Sequence, residues 1–150
     1  MLVQHLTQKL KEAVMARDEF NATLVRGLLA ALHNREIELR PSGKELSEED
    51  AVAVLRRELK KRKESSQLYR QGGRVDLAEK EEKEATFIES LVPAMMSRDE
   101  LERVVDDVIK DTGASGAKDF GPVMKETMTR CGGRAEGKEA SAVIKERLSS

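Results

Sequence analysis

Apolar residues recur at helical spacing through most of the chain, and no stretch alternates at period two. Leu2, Leu6, Leu10 and Ala13 share one face, which predicts a first helix ending near Arg17-Asp18. A second helix is expected from about Glu19 to Leu39. Leu24, Leu28, Ala31 and Leu32 form its stripe, and Val25, Leu29 and Ile37 widen it. A stripe that broad should pack on more than one neighbour. Arg40-Pro41-Ser42-Gly43-Lys44 then breaks the pattern with turn residues.

Ser47 followed by Glu48-Glu49-Asp50 has the form of a capped helix start. The third helix should be long, reaching Gln71. Its narrow stripe of Val52, Leu55, Leu59 and Tyr69 fades toward Gly72-Gly73. The fourth is expected from about Val75 to Leu91, with Leu77, Ala78, Ala85, Ile88 and Leu91 inward, and Pro93 stops it. Ser97-Arg98-Asp99-Glu100 is a second capping box. Leu101, Val104, Val105, Val108 and Ile109 follow it at the spacing of one helical face. After a loop at Thr112-Gly113-Ala114-Ser115-Gly116, a sixth helix should span about Lys118 to Thr129, with Phe120, Val123, Met124 and Met128 inward. The last should span about Glu139 to Ser149 on Ala140, Val143, Ile144 and Leu148. The expectation is an all-α fold in two parts. Residues 1–92 form an antiparallel array of about four helices, residues 97–150 form a three-helix domain, and the boundary lies at Pro93 to Met96.

Composition agrees with this picture. Charged residues make up 37% of the chain and aromatics only 3%, so the core must be thin and aliphatic. A net charge of −1 argues against a generic polyanion binder, so any nucleic-acid surface must come from local clustering. The single cysteine excludes an internal disulfide and fits a reducing cytoplasm. Met1-Leu2-Val3-Gln4-His5 lacks the features of a secretory signal, and no apolar run approaches the ~20 residues of a membrane span. A cytoplasmic location without membrane attachment is expected.

Two basic stretches are candidate sites. In the tail, Arg130-Cys131-Gly132-Gly133-Arg134-Ala135-Glu136-Gly137-Lys138 joins two helices. Glycines let backbone amides crowd together, and the following helix start adds unpaired N–H groups. With Lys125, Arg130, Arg134 and Lys138 around it, the turn suits a phosphate. The alternative is a plain helix C-cap whose cations complement the preceding dipole. In the third helix, Arg56-Arg57-Glu58-Leu59-Lys60-Lys61-Arg62-Lys63-Glu64 carries six cations against two acids. Arg56, Lys60, Lys61 and Lys63 form a secondary basic surface that either meets RNA or pairs with the acidic fourth helix. Arg62 continues the apolar stripe three residues after Leu59, so it should be half-buried against Glu81, Glu84 or Glu36.

Other chemistry is thinly represented. Cys131 lies between Arg130 and Arg134, which could lower a thiol pKa, but His5 and His33 have no evident link to it, and a reduced surface or half-buried thiol is expected. No phosphate-binding glycine motif, catalytic triad or zinc-ligand spacing is present, so no cofactor, metal or catalytic residue is expected.

The tail pattern Gly121, Val123, Met124, Lys125 and Thr127, followed by Gly133, Arg134 and Ala135, resembles the tail domain of GatB, the tRNA-binding subunit of tRNA-dependent amidotransferases. It equally resembles free-standing YqeY-type proteins. Val54, Leu55, Glu58, Lys60, Arg62, Ser65, Tyr69, Arg74, Asp76, Leu77, Ala78, Glu81, Glu84 and Pro93 extend the YqeY resemblance through the middle of the chain, and Arg26 falls where that family carries an arginine. Leu91-Val92, Cys131-Gly132 and Glu136 depart from the usual pattern. The resemblance implies a non-catalytic, tRNA-associated accessory role through the tail. An alternative is binding to an amidotransferase or aminoacyl-tRNA synthetase protein, and a less favoured one is an enzyme of unknown reaction. Any carbon–nitrogen ligase activity would belong to the GatB catalytic core, which this chain does not resemble.

Overall fold

The structure is a computed structural model and describes residues 1–149. Among these are seven α-helices and no strand: α1 (Leu2–Met15), α2 (Glu19–Leu39), α3 (Glu48–Gln71), α4 (Val75–Glu89), α5 (Arg98–Thr112), α6 (Phe120–Cys131) and α7 (Gly137–Leu148). Short 3₁₀ turns at Arg40–Ser42 and Ala117–Asp119 follow α2 and precede α6. Internal contacts cluster into two units, Met1–Val92 and the chain from Pro93 onward.

In the first unit, α1 turns into α2 through Arg17, a non-glycine residue at φ 55°. Asp18 then caps α2, its carboxylate accepting from the Asn21 N–H at 3.1 Å. Leu2, Leu6, Leu24, Val25, Leu28, Leu32, Ala51, Val54, Leu55 and Ile88 make the core. The third helix starts on the expected capping box, and the Ser47 hydroxyl and amide hold the Asp50 carboxyl below its ordinary range. Glu48 in its first turn accepts the Leu2 N–H at 3.0 Å, so one carboxylate satisfies an open donor at the start of α1.

α3 and α4 form an antiparallel hairpin. Its inward face departs from expectation: Ala51, Val54, Leu55 and Ser66 are buried, whereas Val52, Leu59 and Tyr69 are only partly so. The apolar stripe gives way to Arg62 and Ser66 along the same face, so the far half of the hairpin combines these polar groups with the buried Ala78 of α4. Ile37, expected to widen the α2 stripe, is 45% exposed instead.

The second unit has its own core of Leu101, Val105, Val108, Val123, Cys131, Ala135, Ala140, Val143, Ile144 and Leu148. The Ser97 capping box forms as expected, and the Ser97 N–H lowers the Glu100 pKa. On α6 the buried positions are Val123, Thr127 and Cys131, with Phe120, Met124 and Met128 half-buried beside them.

Candidate nucleic-acid interface

α6 ends at Gly132 and Gly133, both left-handed at φ 56° and 81°. An L side chain resists that geometry, so two consecutive glycines allow the chain to reverse in very few residues. α7 then begins at Gly137 with Glu136 as its N-cap, and no side chain caps it. The α3 and α5 starts differ, because Ser47 and Ser97 accept from their first turns. Gly137 lies against Met124, whose Cε would be 3.7 Å from an added Cβ. This contact packs the start of α7 on the middle of α6, next to Lys125.

The four tail cations divide into two kinds. Arg130 bridges Glu126 and Asp111, each at 2.9 Å, and those two acids raise its pKa. Arg134 donates from Nε to the Ala94 carbonyl at 2.8 Å and lies 4.0 Å from Glu100, while its own carbonyl accepts the Met96 N–H at 2.7 Å. It clasps the segment before α5 onto the turn. Lys125 and Lys138 are exposed and make no ion pair among the described residues. Cys131 is buried, not a surface or half-buried thiol. Burial pushes its pKa up, against a smaller lowering by Arg134. The lowering that a neighbouring arginine can supply loses to desolvation. Thr127 is fully buried and its Oγ1 finds no hydrogen-bond partner among the described residues.

In the α3–α4 hairpin most of the basic run is matched. Arg62 reaches Glu58 at 2.6 Å and Glu84 at 3.3 Å, with all three side chains between 16% and 18% exposed. The Nε contact to Glu84 lacks hydrogen-bond alignment, so it is an ion pair only. Glu84 was an expected partner. Glu58, one turn back on the same helix, was not, although i, i+4 spacing is a standing signal for such a pair. Lys61 pairs with Glu58 at 3.3 Å and Lys63 with Glu89 at 2.6 Å. Arg56 is half-buried and engaged. Lys60 is exposed and makes no ion pair among the described residues. Beyond this run, Arg70 forks onto Glu82 through contacts of 2.6 and 2.8 Å, and the Ser66 hydroxyl donates to the same carboxylate. These partners lower the Glu82 pKa to about 2. Burial, and then the Glu84 charge, push Glu81 up.

Among the described residues, no group of three His, Cys, Asp or Glu side chains is placed to hold a metal. No helix there is long and apolar enough to cross a membrane.

Comparison with protein families decides the kinship. Residues 3–148 match the family described as Yqey-like protein. The chain belongs to the YqeY-like family. Relatives include proteins named "Altered inheritance of mitochondria protein 41, mitochondrial". That of Lachancea thermotolerans is 32% identical over 100 residues, which is 67% of this chain and 52% of the relative. That of Kluyveromyces lactis is 32% identical over 71% of this chain and 57% of the relative. That of Vanderwaltozyma polyspora is 28% identical over 97% of this chain and 78% of the relative. The chain thus spans little more than half the length of the first two.

Proposed function

We propose that this YqeY-like protein is a non-catalytic, tRNA-associated accessory protein whose tail turn makes the phosphate contacts. The observation that carries this reading is the turn itself. A paired left-handed glycine turn leads into a helix start with no side-chain cap, between two exposed lysines that make no ion pair among the described residues. Open N–H donors and nearby ammonium groups suit a phosphate. The resemblance of Gly121 to Thr127 and Gly133 to Ala135 to the GatB tail supports tRNA as the polyanion.

Arg130 and Arg134 have a different role in this reading. Their internal partners make them supports of the turn, and the binding set contracts to Lys125 and Lys138. Two phosphate contacts give a shallow salt dependence, a slope of about −1.5 in log affinity against log salt. The same pairing, with the net charge of −1, favours a second reading in which the partner is an amidotransferase or aminoacyl-tRNA synthetase protein. Both readings assign the protein no cofactor and no reaction, and the buried, raised-pKa thiol of Cys131 is no nucleophile in either.

Filter binding with total tRNA at about 0.05 and 0.2 M salt tests the first reading. Retention that falls modestly between the two is expected. No retention even at the lower salt removes tRNA and leaves the protein partner.

A further inference from the structure

The outward face of α2 is unlike the rest of the surface. Phe20, Thr23, Gly27, Ala30, Asn34 and Ile37 follow one another at spacings of 3, 4, 3, 4 and 3, the a/d rhythm of a coiled-coil seam. All six are exposed, Phe20 at 38% and Ile37 at 45%, and none is charged in a chain where 37% of residues are. Gly27 sits mid-helix, where glycine is the least favourable residue after proline. Its φ is not in the left-handed region, and an added Cβ would meet nothing within 4 Å. Nothing within the chain therefore calls for a glycine there. Close approach by another helix does.

The order of side chains along the seam names that helix. The sequence of characters is large, polar, small, small, polar, large, which is the same from either end. If a second copy of α2 lies antiparallel across the midpoint between Gly27 and Ala30, Phe20 meets Ile37 of the other copy. Thr23 then meets Asn34, and Gly27 meets Ala30. The flank agrees in charge. Glu19 and Arg40 lie beside the two ends of the seam on the same side, exposed and without an ion pair among the described residues. The antiparallel arrangement sets each against the other's opposite charge, twice by symmetry. A parallel one sets Glu19 against the acid of its twin. We infer that α2 is the contact surface of an antiparallel homodimer, centred between Gly27 and Ala30.

Sedimentation equilibrium of the full chain across roughly two decades of concentration around the micromolar range tests this. The weight-average mass should climb from 16.7 kDa toward twice that value. Gly27→Glu adds a better helix former into open space, so the monomer should keep its circular dichroism and melt no lower. In the dimer the same side chain fills the seam, and association should weaken by about tenfold or more. Glu19→Lys alone and Arg40→Glu alone should each weaken association, and the two together should restore it. A parent that is monomeric throughout overturns the inference, as does a Gly27→Glu protein that associates like the parent. A double charge exchange that stays as weak as the single ones overturns the antiparallel register.

Discussion

The basic stretch of α3 and the basic turn of the tail look alike as sequence, and the structure uses them differently. Along α3 a returning acidic helix lies alongside. Arg62 and Lys63 reach across to Glu84 and Glu89, and Lys61 is met by Glu58 on its own helix. In the tail no acidic helix answers the whole turn. Arg130 and Arg134 find Glu126, Asp111 and a backbone carbonyl, while Lys125 and Lys138 make no ion pair among the described residues. Charge density in the sequence therefore says little about which cations are available. Neighbours at i, i+4 and across a hairpin decide that, and the denser stretch turns out to be the more fully occupied one.

The largest expected effect tests whether these regions belong to separable units. We propose that the tail folds alone, because its core draws on α5, α6 and α7. A fragment from Pro93 to the C-terminus should be helical by circular dichroism and melt cooperatively, and a disordered fragment would end the proposal. Starting instead at Met96 removes the Ala94 carbonyl that Arg134 grips, which should cost about 0.5–1.5 kcal/mol.

Arginine truncation sharpens the contrast next. Arg62→Ala strands Glu58 and Glu84 in a half-buried setting and should cost about 2–4 kcal/mol in urea unfolding. Arg130→Ala breaks a pair of more exposed contacts and should cost less than about 1 kcal/mol. Equal losses would erase the distinction between a structural and a surface cation.

A smaller gain is expected inside the tail. Thr127→Val removes an unpaired buried hydroxyl while keeping the branched shape, and should stabilise by about 1 kcal/mol. A destabilised variant would mean that the hydroxyl has a partner. The last effect is a pH dependence confined to the hairpin. Glu82 is lowered from an ordinary carboxylate value near 4.5 to about 2 by Arg70 and Ser66. A depressed acid stabilises the fold above its unfolded pKa, and that contribution is lost as pH falls through the folded value. Stability should therefore drop between about pH 4.5 and pH 2 in the parent. The drop should be smaller in Glu82→Gln, and identical acid limbs would contradict the assignment.

Much of the fold was legible because its signals are local. The capping boxes at Ser47 and Ser97 set two helix starts, and the spacing of Leu101 to Ile109 set one face. Ends were less legible. α4 stops at Glu89, short of Leu91, because Pro93 disfavours helical geometry at Val92 and the chain is already turning. α6 runs on to Cys131, since its stop is the left-handed Gly132 and not the last apolar residue. Arg62 was readable as half-buried from its place in the stripe. The commitments of Arg130 and Arg134 were not, because Asp111 and Ala94 come near only in three dimensions. Ile37 was misread as inward, since periodicity gives a face and not what covers it.

We propose that the tail turn, through Lys125 and Lys138, is the surface that meets tRNA phosphates. Filter binding of total tRNA should compare a double Lys125→Gln, Lys138→Gln variant with a triple Lys60→Gln, Lys61→Gln, Lys63→Gln variant across a salt series. The tail variant should bind more weakly, its salt slope flattened from about −1.5 toward zero, while the α3 variant binds nearly like the parent. A tail variant that binds like the parent, beside an α3 variant that does not, would contradict it.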